Sequence, residues 1–196
     1  AAAAVAIVRG AGCRNFAGSV AFLVSERQAV GGAGVEVRLL EVNMDVEAAT
    51  EEVTCVDIVA AQLEMGLRGR CLQEVVLQQG RLRAKGFALQ ACVEIMPPSV
   101  PEGMVTEYAE PMGMGVRVDS ACHVGCRPPA VYGPLQAQVT CTGGAHVTAC
   151  GDATEGRGVG PCLDNKALEM ALLRMQKALA EFHVKGCGTN LPQLRE

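Results

Sequence analysis

The chain has 196 residues, of which 49% are apolar, and a formal net charge of −4. A chain of this length and composition can bury a core as one large or two small domains, which excludes a largely disordered protein. Its 17 basic residues form no cluster, so we expect no nucleic-acid-binding surface, which needs a concentrated cationic face. No uninterrupted apolar run reaches the ~20 residues of a membrane-spanning helix.

The ten cysteines are scattered without a pairing pattern through a chain that is long enough to have its own core. This usage favours an intracellular, reducing compartment over a disulfide framework. The opening Ala1-Ala-Ala-Ala has neither a basic segment nor a cleavage pattern, so no targeting segment is visible. The mitochondrial matrix or another organelle stays open as the location.

Some of the cysteines are candidate zinc ligands. A structural zinc site would need a second pair of ligands at defined spacing. The alternative is that the cysteines are small, buried, apolar side chains. The two candidate groups are Cys122, His123 and Cys126, and Cys141, His146 and Cys150.

The first third of the chain predicts a helix followed by a β-hairpin. Residues 1–12 are rich in alanine and end in glycines that can close a helix. A strand is predicted at 19–24 and another at 35–43, where apolar and polar residues alternate. The glycines at 31, 32 and 34 lack the helix and lysine of a phosphate-binding loop, so we interpret them as turn residues.

The segment 39–54 carries the first candidate site. Glu41 and Asn43 are two residues apart on a strand and therefore lie on the same face. Mg²⁺ is commonly held by one or two carboxylates together with phosphate oxygens, so this strand end is a candidate metal site. The alternative is an ordinary solvated strand edge. Thr54 and Asp57 resemble a capping box, which predicts a helix that runs to Gly66.

The second half of the chain predicts a mainly antiparallel sheet closed by a helix. Short apolar runs at 87–95, 104–108, 116–118 and 131–139 are separated by proline and glycine. The glycine-rich segment 143–161 is predicted to be a long loop. Asp164 is positioned to cap a closing helix over 164–184, which Gly186 ends. The expected fold class is α+β.

Several of these segments resemble biotin carboxylases, and their amino-acid sequences are most similar to those of pyruvate carboxylases. The resemblance implies that residues 1–84 are the latter half of an ATP-grasp domain with a mixed sheet. It further implies that 85–196 are a biotin carboxylase C-terminal domain with an inserted loop at 143–161. The upstream half and its nucleotide lid would precede Ala1. The matching blocks are 12–24, 40–43, 50–59, 85–90, 113–119, 174–186 and 189–190.

Such enzymes use Mg-ATP and bicarbonate to carboxylate biotin. The resemblance makes Glu41 a magnesium ligand and places Asn43 near the metal and the phosphates. It places Glu47 near the base that acts on bicarbonate, and it gives Arg117 the role of stabilising the biotin enolate. Divalent ions and cationic side chains are the groups that neutralise charge in phosphoryl transfer.

The chain departs from the family pattern at the same sites. Ala21 stands where the family has its first metal carboxylate, and a methyl group cannot bind a hard cation. The segment after Asn43 is three residues shorter, so the bicarbonate-binding arginine is deleted or replaced by Asp45, which reverses the charge. The assignment of Glu47 depends on the position of this gap. Farther on, a proline-rich block is altered at 128–134, and Gln138 replaces a lysine.

Two functions follow from this pattern. The first is a degenerate or truncated biotin carboxylase-like protein, non-catalytic as it stands and without a cofactor, with a structural or partner-binding role. It would form a homo-oligomer or join a larger assembly. The alternative is a segment of an active, ATP-dependent biotin carboxylase, a ligase that requires Mg-ATP and biotin and whose N-terminal half lies elsewhere.

Overall fold

The computed structural model describes residues 2–12, 18–29, 32–43, 45–69, 85–96, 103–128, 135–144 and 165–196. This part of the chain contains helices and antiparallel sheets in separate runs, so the expected α+β class is confirmed. The elements are α1 (Ala2–Gly10), β1 (Ser19–Ala29), β2 (Gly32–Asn43), α2 (Ala48–Thr54), α3 (Ile58–Arg68), β3 (Phe87–Glu94), β4 (Glu107–Ala109), β5 (Val116–Ser120), β6 (Leu135–Gly143), α4 (Asn165–Glu181), β7 (His183–Lys185) and α5 (Leu191–Leu194).

The chain forms two compact units. The first contains residues 1–47 and 57–82, and the second contains 48–56 and 83–196. Helix α2 therefore belongs to the second unit, although it precedes α3 in the sequence. The assignment of 1–84 and 85–196 to two family domains stays a prediction.

In the first unit, β1 and β2 form the predicted hairpin, with Ala29 opposite Gly32 at the turn and Ser19 opposite Asn43 at the open end. Both strands are longer than the sequence pattern predicted, because pairing extends through 25–29. The predicted helix over 1–12 is also confirmed as α1.

The predicted capping box before α3 is wrong for Thr54, which does not cap that helix. Thr54 is the last residue of α2, where its hydroxyl donates to the carbonyl of Thr50. Asp57 alone caps α3, since its carboxylate accepts from the amide of Ala60 at 2.7 Å. The helix also continues past Gly66 and ends at Gly69, whose φ of 63° is the left-handed conformation that favours glycine.

The second unit is built on a three-stranded antiparallel sheet in the order β3, β6, β5. The central strand β6 is almost wholly buried. One face carries Val139 and Cys141, which are fully covered, and the other carries polar residues that are also buried, Gln136, Thr140 and Thr142. Helix α4 packs on this sheet through small and apolar residues at helical spacing. The buried residues of α4 are Ala167, Ala171, Met175, Ala178 and Leu179.

The closing helix is shorter than predicted. It ends at Glu181, and residues 183–185 instead form β7, which pairs with β4. Phe182 at this change of direction is fully buried. Its ring packs edge to face on that of Tyr108, with the two ring centroids 5.7 Å apart. Arg195 closes the end of α4 by donating to the carbonyls of Leu179 and Phe182 at 2.9 and 2.7 Å. The charged donor stabilises the carbonyl end of the helix.

Several predictions fall wholly or partly outside the described residues, including the first four residues of the apolar run at 131–139. Of the loop predicted over 143–161, only residues 143 and 144 are described, and Gly143 is the last residue of β6. Asp164, the predicted cap of the closing helix, is not described. Across the part of the chain that is described, no helix combines the length and the apolar character needed to cross a bilayer.

Candidate functional site

The open end of the β1–β2 hairpin holds the predicted metal residues. The amide nitrogen Nδ2 of Asn43 donates to Oε1 of Glu41 at 3.0 Å. The two side chains thus share a face and are in contact, as the two-residue spacing predicted. Both belong to the first compact unit.

Ala21 lies directly opposite Glu41 in the register of this hairpin. Residues that are directly opposite in an antiparallel pair project to the same face, with Cβ atoms about 5 Å apart. The position from which a second carboxylate beside Glu41 would have to come therefore carries only a methyl group. A register shift between Ala21 and Phe22 follows immediately.

This donor set does not fit a centre with two magnesium ions. Glu41 supplies one carboxylate, and one of its oxygens already accepts a hydrogen bond from Asn43. Mg²⁺ requires near-octahedral oxygen coordination, and a pair of ions needs bridging carboxylates or phosphates. Within the described ranges, no group of three or more His, Cys, Asp or Glu side chains is arranged to hold a metal ion.

Asp45 and Glu47 follow the hairpin in the first unit. Asp45 is exposed, and Glu47 is half-buried immediately before α2. An acidic side chain at position 45 repels an anion that an arginine would attract. The role of Glu47 stays a prediction.

Arg117 lies on β5 in the second unit, where three carboxylates surround its guanidinium group. Nη1 lies 2.9 Å from Glu51 and 3.4 Å from Glu52, both on α2, and Nε lies 2.8 Å from Asp119 on the same strand. The side chain of Glu51 is only 11% exposed, whereas that of Arg117 is 37% exposed. The guanidinium group therefore joins α2 to the edge of the sheet.

The electrostatics of this cluster are unfavourable for an anion. The hydrogen bond to Glu51 raises the pKa of Arg117 above its ordinary value, and Asp119 adds to the effect. The arginine therefore stays charged, but three carboxylates surround one cation. A guanidinium group that is already bound by three carboxylates attracts a further anion less strongly than an unbound one.

Glu51, Glu52 and Asp119 were not among the predicted site residues. Asp119 carried a local signal, because it is two residues from Arg117 on a strand and shares its face. The two glutamates carried none, since they precede Arg117 by more than 60 positions. Gln138, which the resemblance places at a lysine position of the family, lies on β6 directly opposite Asp119.

The predicted zinc ligands do not form a zinc site in the described residues. Cys122 and Cys126 are close, with their sulfur atoms 3.6 Å apart, but Nδ1 of His123 lies 3.0 Å from the backbone carbonyl of Val124. Cys141 is fully buried in the middle of β6, as the apolar interpretation predicted. His146 and Cys150 lie outside the described residues.

Comparison with known proteins agrees with the fold and the residue pattern. No protein-family model matches the chain. A solved biotin carboxylase domain of a single-chain bacterial carboxylase superposes on 99% of this chain and 39% of its own, with a TM-score of 0.69 and 28% identity. Together with the sequence relatives described next, this likeness shows that the chain is a biotin carboxylase-like protein.

The curated relatives include pyruvate carboxylases. The mitochondrial pyruvate carboxylase of Rattus norvegicus is 30% identical over 187 residues, which are 91% of this chain and 13% of that protein. The pyruvate carboxylase of Aspergillus niger is 28% identical over 199 residues, or 97% of this chain. The chain thus spans about 14% of the length of the A. niger relative.

Proposed function

We propose that this chain is a non-catalytic, biotin carboxylase-like protein with a structural or partner-binding role in a homo-oligomer or a larger assembly. The observation that carries the proposal is Ala21 opposite Glu41 in the hairpin register. Ala21 faces Glu41, the candidate magnesium carboxylate, and provides no second oxygen ligand for a metal ion there.

The charges of the other candidate residues support the same function. By the resemblance, the bicarbonate-binding arginine is deleted or is replaced by Asp45, whose negative charge would repel bicarbonate. Arg117 is held by Glu51, Glu52 and Asp119. Removal of a single preorganised electrostatic group from an active site costs roughly 3 to 4 kcal/mol of transition-state stabilisation. Two such losses reduce a rate by about four to six orders of magnitude.

The decisive assay is ATP hydrolysis by the intact native protein in the presence of Mg²⁺, bicarbonate and free biotin. We expect no hydrolysis that depends on both bicarbonate and biotin. Turnover that requires both, and that disappears when either one is omitted, would contradict the proposal. The mass of the native subunit, measured on the same preparation, determines whether the upstream half is present in the assayed protein.

The role of position 21 can be measured apart from turnover. Titration with Mn²⁺, followed by its electron paramagnetic resonance signal, should detect weak or no binding to the unmodified protein. Ala21→Glu should strengthen Mn²⁺ binding, because it places a second carboxylate beside Glu41. Ala21→Gln is the matched control, since it adds the same length without the charge. Equal affinities in all three proteins would contradict the proposed defect.

An active carboxylase segment is the second candidate. It is favoured by the retention of Glu41, Asn43 and Arg117, and by the small share of its relatives' length that the chain spans. In that case the missing ligands would come from outside these 196 residues. The hydrolysis assay above distinguishes the two candidates.

Self-association and location belong to the same proposal. Light scattering coupled to gel filtration should detect an oligomer or complex in a native preparation, whereas a monomer alone at micromolar concentration would count against it. The R. norvegicus relative is named as mitochondrial, which favours the mitochondrial matrix. Fractionation of cells that contain the protein tests this location.

A further inference from the structure

Three cysteines of the second unit share a small hydrophobic cluster next to the main core. Cys122 and Cys187 are buried there with Ile95 and Val105, and Cys126 packs against them while partly exposed. The sulfur atoms of Cys122 and Cys126 lie 3.6 Å apart. That is about 1.5 Å longer than a covalent disulfide bond.

The backbone holds these two cysteines in place. The amide of Cys122 donates to the hydroxyl of Ser120 at 2.9 Å, and the amide of Cys126 donates to the carbonyl of His123 at 3.1 Å. The carbonyl of Cys126 accepts from the amide of Val105 at 3.0 Å. Both ends of the turn are therefore anchored, and rotation of the side chains can bring the sulfur atoms together.

We propose that Cys122 and Cys126 are a reversible dithiol–disulfide pair, oxidised by a low-molecular-weight disulfide such as oxidised glutathione. The site is a modification site and is independent of whether the protein hydrolyses ATP. A metal site is the competing interpretation of a thiol cluster, but the described residues contain no arrangement of three or more ligands that could hold an ion.

The reaction proceeds in two thiol exchanges. The thiolate of Cys126, the more accessible of the two, attacks the oxidant, which forms a mixed disulfide and releases one thiolate of the oxidant. The thiolate of Cys122 then attacks the Cys126 sulfur, which forms the intramolecular bond and releases the second oxidant thiolate. The protein loses two protons and two electrons, and one oxidant disulfide becomes two thiols.

Burial determines the order of these steps. Burial raises the pKa of the Cys122 thiol, and the neighbouring Cys126 adds to the effect. A thiol with a raised pKa is a poor first nucleophile at neutral pH. Once Cys126 carries the mixed disulfide, however, Cys122 is within contact distance, and proximity compensates for its low thiolate fraction.

The test equilibrates the intact protein in mixtures of reduced and oxidised glutathione. Samples are quenched with acid, unfolded and alkylated with N-ethylmaleimide, and the linked peptides are mapped by mass spectrometry. We expect Cys122 and Cys126 to be linked to each other and to lose their alkylation together. Exposed Cys55 is the internal control, and we expect it to carry only a glutathione adduct.

Two results would overturn the proposal. One is full alkylation of both cysteines in the most oxidising mixture. The other is a bond from either cysteine to Cys187 in place of the Cys122–Cys126 bond. Cys122→Ser should trap glutathione on Cys126, whereas Cys55→Ser should leave the Cys122–Cys126 bond unchanged. The peptide map of the unmodified protein is sufficient if a variant fails to fold.

Discussion

Replacement of Arg117 by methionine removes its charge and hydrogen bonds while it keeps a side chain of similar length. The non-catalytic proposal predicts that this change affects stability, because Arg117 joins α2 to β5 through Glu51 and Glu52. Without the cation, those two carboxylates and Asp119 repel one another. Glu51 is affected most by the loss of the cation, since its side chain is only 11% exposed.

The magnitude follows from the burial of the partners. Breaking a buried ion pair costs about 3 to 5 kcal/mol, whereas an exposed pair contributes about 0 to 1 kcal/mol. Arg117 is 37% exposed, so solvent screening reduces the larger figure, and we expect a loss of about 2 kcal/mol. For a chain of this size that corresponds to a decrease in Tm of about 4 to 8 °C.

Thermal unfolding followed by circular dichroism measures this loss. Arg38→Met is the matched control, because Arg38 pairs with Glu36 at 2.8 Å on the exposed hairpin with 69% of its side chain accessible. We expect less than about 0.5 kcal/mol from the control. If Arg117→Met destabilised the protein no more than Arg38→Met, the structural role of Arg117 would be refuted.

Three further predictions concern the second unit. Arg195→Ala should lower the free energy of unfolding by about 1 to 2 kcal/mol, because two carbonyls at the end of α4 lose a charged donor. Urea unfolding measures this loss, and an unchanged midpoint would contradict the prediction. Asn190→Ala should lower the free energy of unfolding by about 2 kcal/mol, because the Asn190 side chain hydrogen-bonds the backbone of Glu94 and Cys92. Hydrogen exchange of the Glu94 amide should accelerate, and unchanged protection of that amide would contradict the prediction. Closure of the proposed disulfide should accelerate as pH rises from 7 to 9, since the thiolate fraction of a group with a raised pKa increases with pH. Acid-quenched alkylation follows the rate, and a rate independent of pH would argue against Cys122 as the second nucleophile. The titratable neighbours of Cys122 are Cys126, Cys187 and the hydroxyl of Tyr108.

The hairpin and the sheet were predictable because each depends on a local pattern. Alternation over 35–43 defined β2. The interpretation of the glycines as turn residues was wrong for Gly32 and Gly34, which pair with β1 as part of β2, and Gly31 lies outside the described residues. The apolar runs at 87–95 and 116–118 correctly located β3 and β5. These patterns report which face of a strand is buried, and burial is the main determinant of a sheet.

The errors occurred where one local pattern fitted two structures. Thr54 and Asp57 have capping-box spacing, but the chain ends one helix at Thr54 and starts another after Asp57. Residues 182–184 continue the apolar spacing of α4, yet pairing with β4 extends 183–185 as a strand. At 183–185 a contact distant in sequence decides the structure, and periodicity along the chain does not reveal it. At Thr54 the hydroxyl bonds the preceding turn of its own helix instead of capping the next one.

The same limit applied to the site. The contact between Glu41 and Asn43 followed from strand geometry alone, whereas the carboxylates around Arg117 required the tertiary fold. On the proposed function, this difference also explains why Arg117 and Asn190 survive. Arg117 and Asn190 each join separate elements, so their loss would destabilise the chain whether or not it catalyses a reaction. Positions 21 and 45 would serve only a ligand, and a protein without that ligand can carry alanine and aspartate there at no cost in stability.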